Sequence, residues 1–343
     1  MKYTILFCWM ISAMAVTAIA APADFFIDSN GRLHDQGGRI LTIDKPFSRI
    51  ISLYGAHTET LYYLGAESTV AGVSRGKTFA PVDTSGKPVF SYHDGPERFL
   101  AANPDLILIR PMIDRGYANL VTQLEKHGIT VVSLQPGTVE EMYRYWHIMG
   151  QLTGHGQTAR RMVQQFKKAI TRFGAIAATV NPKKRVYFEA MHDQMKTISR
   201  GSMADFVLKT AGGINIADNA APSRGTNIAN YGKEKILDRA DQIDVYLAQR
   251  GPMNHPTREM IKSEPGFSVI RAVQDNEIYI IDEIIVSRPT IRLLLGIHDI
   301  GVLLYPDQYG EQWDQILMEA LAPWQHLLEM ELSEPAANRE RPT

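Results

Sequence analysis

The sequence predicts an α/β fold: two Rossmann-like lobes with parallel sheets, joined by a single long helix, with a ligand cleft between the lobes. Three observations predict it. The first is an internal repeat, in which ERFLAANPDLILIRP (97–111) and EKILDRADQIDVYLAQRGP (234–252) share one grammar. Each opens on a glutamate in a short helical stretch, passes a polar turn and an aspartate, and runs through apolar residues to an arginine. The second is the alternation of strand and helix patterns on both sides of the chain's middle. Its strands are continuously apolar, as in parallel sheets covered on both faces. The third is the segment 154–180. There Ala159, Met162, Val163, Phe166, Ala169, Ile170, Phe173 and Ile176 fall on one helical stripe, with no Gly or Pro between Gln157 and Phe173. Such a helix of roughly 20 residues spans ~30 Å and can join two lobes without a flexible linker.

The elements follow in order. Residues 1–20 read as a cleavable secretory signal peptide: Lys2 is the positive end, Ile5 to Val16 the apolar stretch, and Ala18-Ile19-Ala20 the cleavage site. The only cysteine, Cys8, lies within it, so a mature chain free of thiols and disulfides is expected. Residues 21–153 form the first lobe, opened by a small β preface with turn signals at Asn30-Gly31 and Gly37-Gly38. The stretch RIISLYGAHTETLYYLGAE (49–67) then gives a buried strand, a turn and a helix ending at Gly65. Further strands are expected at 69–73, 106–109 and 129–134, with helices at 96–102 and 116–127. Residues 154–181 are the connecting helix. Residues 182–332 form the second lobe, with strands at 185–190, 244–248 and 277–281 and helices at 202–211, 233–239, 257–263 and 289–304. Residues 333–343 read as a polar tail.

Charge narrows the function. The formal net charge is −1, which does not suit a nucleic-acid binder. Ligands of parallel α/β sheets bind outside the carboxyl ends of the strands. That rule selects Tyr54, His57, Arg75, Tyr92, His93, Arg110 and Met112 in the first lobe. In the second it selects His192, Arg200, Arg224, Tyr231, Arg250 and Arg288. Guanidinium groups suit carboxylates and other planar anions, so a small anionic ligand is indicated. His57, His93, His192 and His255 could converge on a metal, yet no H-x-x-H or H-E-x-x-H spacing supports a resident site. AGVSRGKT (71–78) imitates a phosphate loop, but Pro81 and Pro88 forbid the helix that a phosphate cradle needs. No nucleophile elbow or dinucleotide loop is present, so neither a catalytic residue nor a cofactor is assigned.

These motifs, taken in order, resemble the periplasmic iron-siderophore and vitamin B12 binding proteins of ABC importers. The resemblance runs from about residue 25 to 306 and rests on the β preface with Asp28 and Gly31, RIISLYGAHTETLYYLGAE, ANPDLILI, HGITVVSL, the long helix, AGGINIA (211–217) and EKILDRADQIDVYLAQRG. It implies a monomeric periplasmic receptor, not an enzyme, with little hinge closure. It implies docking to a membrane permease through one glutamate per lobe, at the positions of Glu97 and Glu234. It further implies a metal–organic cargo. The arginines favour a ferric-siderophore-type chelate, with haem, a corrinoid such as cobalamin, or a His-ligated metal ion as alternatives and a secreted α/β enzyme as a remote one. On this reading the glutamates of the repeat face the permease, while Arg110 and Arg250, at the opposite ends of the following strands, face the cargo.

Overall fold

The computed structural model describes residues 24–74, 84–223 and 226–327. The expected signal peptide and polar tail lie outside these residues, as do Arg75 and Arg224. Strands β1 (Phe26–Ile27), β2 (Arg32–His34) and β3 (Ile40–Thr42) make the preface, a three-stranded antiparallel sheet. It is fastened to the first lobe. Asp35, 2% exposed, accepts from the Ser133 amide at 2.8 Å. Arg39 grips Asp114 with two 2.8 Å bonds.

The first lobe runs β4 (Ile50–Ser52), α1 (Gly55–Tyr63), β5 (Val70–Ser74), β6 (Val89–Phe90), α2 (Pro96–Ala101), β7 (Leu106–Ile109), α3 (Pro111–Gly116), α4 (Ala118–Lys126) and β8 (Thr130–Ser133). Its five strands are all parallel, in the order β6-β5-β4-β7-β8. The strand residues Ile50, Ile51, Leu106, Ile107 and Leu108 are fully buried, as continuous apolar runs require.

The link between the lobes is more than one helix. After β8 comes α5 (Val139–Thr153), then α6 (Gly156–Ala177), 22 residues long. The α5 start carries a legible signal: the Thr138 hydroxyl accepts from the Glu141 amide at 3.2 Å, and the Glu141 carboxylate accepts from the Gly137 amide at 2.6 Å. Helix α6 buries the predicted stripe through Ala159, Met162, Val163, Phe166, Ala169 and Phe173.

The second lobe runs β9 (Arg185–Met191), β10 (Lys196–Ile198), α7 (Met203–Thr210), β11 (Ile214–Asn215), β12 (Ala221–Pro222), β13 (Ile228–Asn230), α8 (Lys233–Asp238), β14 (Val245–Arg250), α9 (Arg258–Ser263), α10 (Arg271–Gln274), β15 (Ile278–Asp282), α11 (Glu283–Ser287), α12 (Leu293–Leu304) and α13 (Pro306–Leu321). Its sheet departs from the all-parallel expectation. The strands β9, β14 and β15 are parallel, but β10, β13 and β12 form an antiparallel extension.

One apolar core serves both lobes. It joins Ile50, Leu61 and Leu106 of the first lobe to Val186, Phe188 and Leu247 of the second, through α5, α6, α12 and α13. Polar bonds cross the same boundary: the Trp146 indole donates to the Pro289 carbonyl at 3.1 Å, and the Trp324 indole to the Tyr63 carbonyl at 2.7 Å. A shared close-packed core resists hinge bending, since packed interiors do not deform continuously.

Candidate functional site

Side chains that follow β4 and β7 of one lobe come near side chains that follow β15 of the other. Tyr54, in extended backbone, precedes α1, and Arg110, also extended, precedes Pro111 at the start of α3. The Arg110 guanidinium lies 4.5 Å from the centre of the Tyr54 ring. Its Nε is buried and has no hydrogen-bond acceptor among the described protein groups. Burial raises the Tyr54 phenol pKa, so Arg110 rests on a neutral ring.

Opposite stands Glu283, the first residue of α11. Burial raises its carboxyl pKa, and Arg288 and Arg110 lie close enough to oppose that rise. Gly251 makes room for it: a Cβ at Gly251 would sit 2.1 Å from Glu283 Oε2. Arg110 and Glu283 thus bring opposite charges from opposite lobes to one floor. Glu283, next to the end of β15, was reachable by the strand-end rule that selects Arg250.

Several expected ligand residues are committed elsewhere. His57 is fully buried. The Ile109 carbonyl, 3.1 Å away, can only accept, so Nε2 donates to it and Nδ1 accepts from the Tyr145 hydroxyl at 2.9 Å. Burial pushes the imidazole pKa down to about 4, so it is a neutral core group. Arg288 is also buried, held to Glu59 of α1 at 2.9 Å, with Arg292 3.6 Å from the same carboxylate. Gly55 admits this guanidinium, since a Cβ there would lie 3.0 Å from Arg288 Nη1. This pairing ties the lobes together and takes Arg288 out of the cargo set.

His192 is 6% exposed and donates through Nδ1 to Glu189 at 2.8 Å, while Nε2 lies 3.7 Å from Glu264. The Glu189 contact raises its pKa. Tyr231 is buried in the second lobe's smaller core, its ring 5.8 Å from Tyr187. Arg200 follows β10, which runs antiparallel to β9, so it is carried away from the carboxyl ends of the parallel strands. It is 74% exposed and 3.5 Å from Asp218. The strand-end rule failed at Arg200 because the sequence did not reveal β10's reversal.

The remaining candidates are half-buried or exposed. Tyr92 and His93 join Tyr117, with ring centres 4.6–5.1 Å apart. Tyr117 was missed because it lies beyond α3 rather than next to a strand. Met112 is 39% exposed and Arg250 is exposed at the end of β14. Glu97 and Glu234 are exposed at the starts of α2 and α8. Each of these helices runs back along its sheet before the next strand returns. Glu97 and Arg110 therefore share the carboxyl edge of one sheet, and Glu234 and Arg250 that of the other. They do not occupy opposite working ends. Among the described residues no cluster of three His, Cys, Asp or Glu side chains could hold a metal, and no helix is long and apolar enough to cross a membrane.

The family model described as "Periplasmic binding protein" matches residues 50–285. The chain belongs to the periplasmic binding protein family. This is a family of solute-binding proteins, not enzymes. The chain is similar to an uncharacterized ABC transporter substrate-binding lipoprotein, YvrC, of Bacillus subtilis (strain 168). They are 24% identical over 288 residues, which cover 81% of this chain and 87% of that one. It is also similar to the vitamin B12-binding protein of Salmonella typhi, 26% identical over 209 residues, covering 59% of this chain and 73% of that one. Among solved structures it resembles one described as a possible iron-binding (periplasmic solute-binding) protein from Staphylococcus epidermidis ATCC 12228. That match has a TM-score of 0.66 and 27% identity, covering 76% of this chain and all of the other. In this periplasmic binding protein, Arg110 and Glu283 bring opposite charges from the two lobes within electrostatic reach.

Proposed function

We propose that this protein is the periplasmic receptor of an ABC importer and that it delivers an anionic ferric chelate of the siderophore type to the membrane permease. The observation that carries the reading is Arg110: a guanidinium seated on Tyr54 at the cleft floor, with a buried Nε that has no protein acceptor. A guanidinium is the preferred partner of a carboxylate or phenolate oxygen, which a chelate supplies. Arg250 at the facing strand end adds a second cation at the rim. Glu97 and Glu234 supply one exposed acid per lobe for docking.

A second reading keeps the transport role and changes the cargo to a corrinoid. The rim cluster of Tyr92, His93 and Tyr117 favours it, as does the likeness to a vitamin B12-binding protein. A thermal-shift screen separates the two. The mature protein is heated with ferric citrate, a ferric tris-catecholate, a ferric hydroxamate, haemin and cyanocobalamin. A true cargo at a hundredfold excess over its Kd stabilises by ~2.7 kcal/mol and stands out from the rest. A response to a ferric chelate supports the first reading, and a response to cyanocobalamin alone supports the second. Silence from every compound contradicts the receptor role for metal–organic cargo.

A further inference from the structure

The internal repeat continues past its arginines. The first copy ends Arg110-Pro111-Met112, and the second ends Arg250-Gly251-Pro252-Met253. Both methionines follow central strands, β7 and β14, at carboxyl ends. Both are exposed, Met112 by 39% and Met253 by 67%. We propose that Met112 and Met253 are a matched pair of apolar jaws, one per lobe, which grip the cargo on two opposite faces above the polar floor. The inference rests on the reading that the cleft holds a metal–organic complex and narrows its class. The cargo carries acidic groups on one edge and apolar or aromatic surface on both sides.

The exposure is built in rather than slack. In the first lobe, Asp114 anchors α3 to Arg39 through two 2.8 Å bonds. In the second, the Gly251–Asn254 turn is closed by amide-to-carbonyl bonds of 2.8 and 3.1 Å. Asn254, 7% exposed, donates to the Gln249 carbonyl at 2.7 Å and accepts from the His192 amide at 3.0 Å. These bonds fix the turn and leave Met253 at its tip in water. Each methionine stands two residues past a backbone position bordering the same charged pair: Gly251 packs on Glu283, and Glu283 interacts electrostatically with Arg110. Thioether side chains are flexible and polarizable, and they mould to irregular apolar or aromatic surfaces. A small hydrophilic chelate such as ferric citrate offers no such faces.

The test is calorimetric titration of wild type, Met112→Gln, Met253→Gln, the double Gln variant and the double Leu variant. The titrants are a ferric tris-catecholate, haemin, cyanocobalamin and ferric citrate. Wild type is expected to bind one of the first three more tightly than ferric citrate. Each Gln substitution weakens that binding about tenfold, as loss of one well-placed apolar contact does, and the double Gln variant weakens it about a hundredfold. The Leu variant retains most of the affinity. All variants melt at the wild-type temperature without ligand, since both side chains are exposed. Equal binding by wild type and the double Gln variant overturns the jaws while leaving the receptor reading intact. So does tightest binding to ferric citrate. Failure of wild type to bind any titrant overturns both.

Discussion

His57 and His192 follow the first strand of their respective lobes, and the structure uses them in contrary ways. His57 sits among a tyrosine hydroxyl, a backbone carbonyl and apolar side chains, so burial keeps it neutral. His192 bonds Glu189, with Glu264 beside it, and that acidic setting favours its charged form. The same residue type at the same topological position is a core strut in one lobe and a charge bridge in the other. Strand-end position gives access to the cleft side; the neighbouring groups decide whether the side chain reaches a ligand. The lobes also differ in what borders that edge. The first sheet is wholly parallel, whereas the second adds β10, β13 and β12 in alternating directions.

Breaking the tie between the lobes carries the largest expected effect. Glu59→Ala leaves Arg288 and Arg292 buried without their carboxylate. Loss of one partner of a buried pair costs about 3–5 kcal/mol, readable by urea denaturation. A loss under about 1 kcal/mol, the level of a surface pair, would show that the lobes are not locked by it.

The histidine contrast predicts two opposed pH limbs. Unfolded, each titrates near 6.5. The folded pKa of His57 is depressed, so its contribution is complete above pH 6.5. It is lost as pH falls toward about 4, where the unfolded chain takes up a proton that the folded chain refuses. The loss is roughly 3 kcal/mol across that window. The folded pKa of His192 is raised, so its contribution is complete below pH 6.5 and is lost as pH rises through the folded value. Stability measured against pH should therefore have a shallower acid slope in His57→Gln and a shallower slope above 6.5 in His192→Gln, with His147 and His298 supplying the remainder of the two limbs. A shared response of both variants on one limb would erase the distinction.

The smallest expected effect on stability belongs to the paired glutamates. Glu97→Lys with Glu234→Lys changes exposed side chains, so the melting point should move little, within about 0.5 kcal/mol. Cargo affinity is also expected to hold, while uptake through the permease falls. Uptake at the wild-type rate would remove these residues from the docking surface.

Most of the frame was legible because it obeys periodicity. Continuous apolar runs marked β4, β7, β9 and β14, and a single stripe marked α6. Helix α5 was missed despite the Thr138-x-x-Glu141 box at its start, since its aromatic and polar residues blur the stripe. Strands β6, β10, β11, β12 and β13 were missed because they are two or three residues long, too short for a period to show. The site was less legible than the frame. Position at a strand end was readable for Tyr54, Arg110 and Met112. Burial, which consumed His57 and Arg288, depends on partners distant in sequence, Tyr145 and Glu59. Glu283 and Met253 came forward only when the two lobes were seen to share a floor.

The cargo is proposed to lie between the lobes with an acidic group on Arg110. Calorimetric titration of Arg110→Gln beside wild type, with whichever complex stabilises the wild type in the screen, tests it most directly. Loss of a charge-assisted contact of about 1.5–3 kcal/mol predicts affinity at least tenfold weaker in Arg110→Gln, with melting of the free protein little changed. Equal affinity in the two proteins would place the cargo elsewhere and contradict the account.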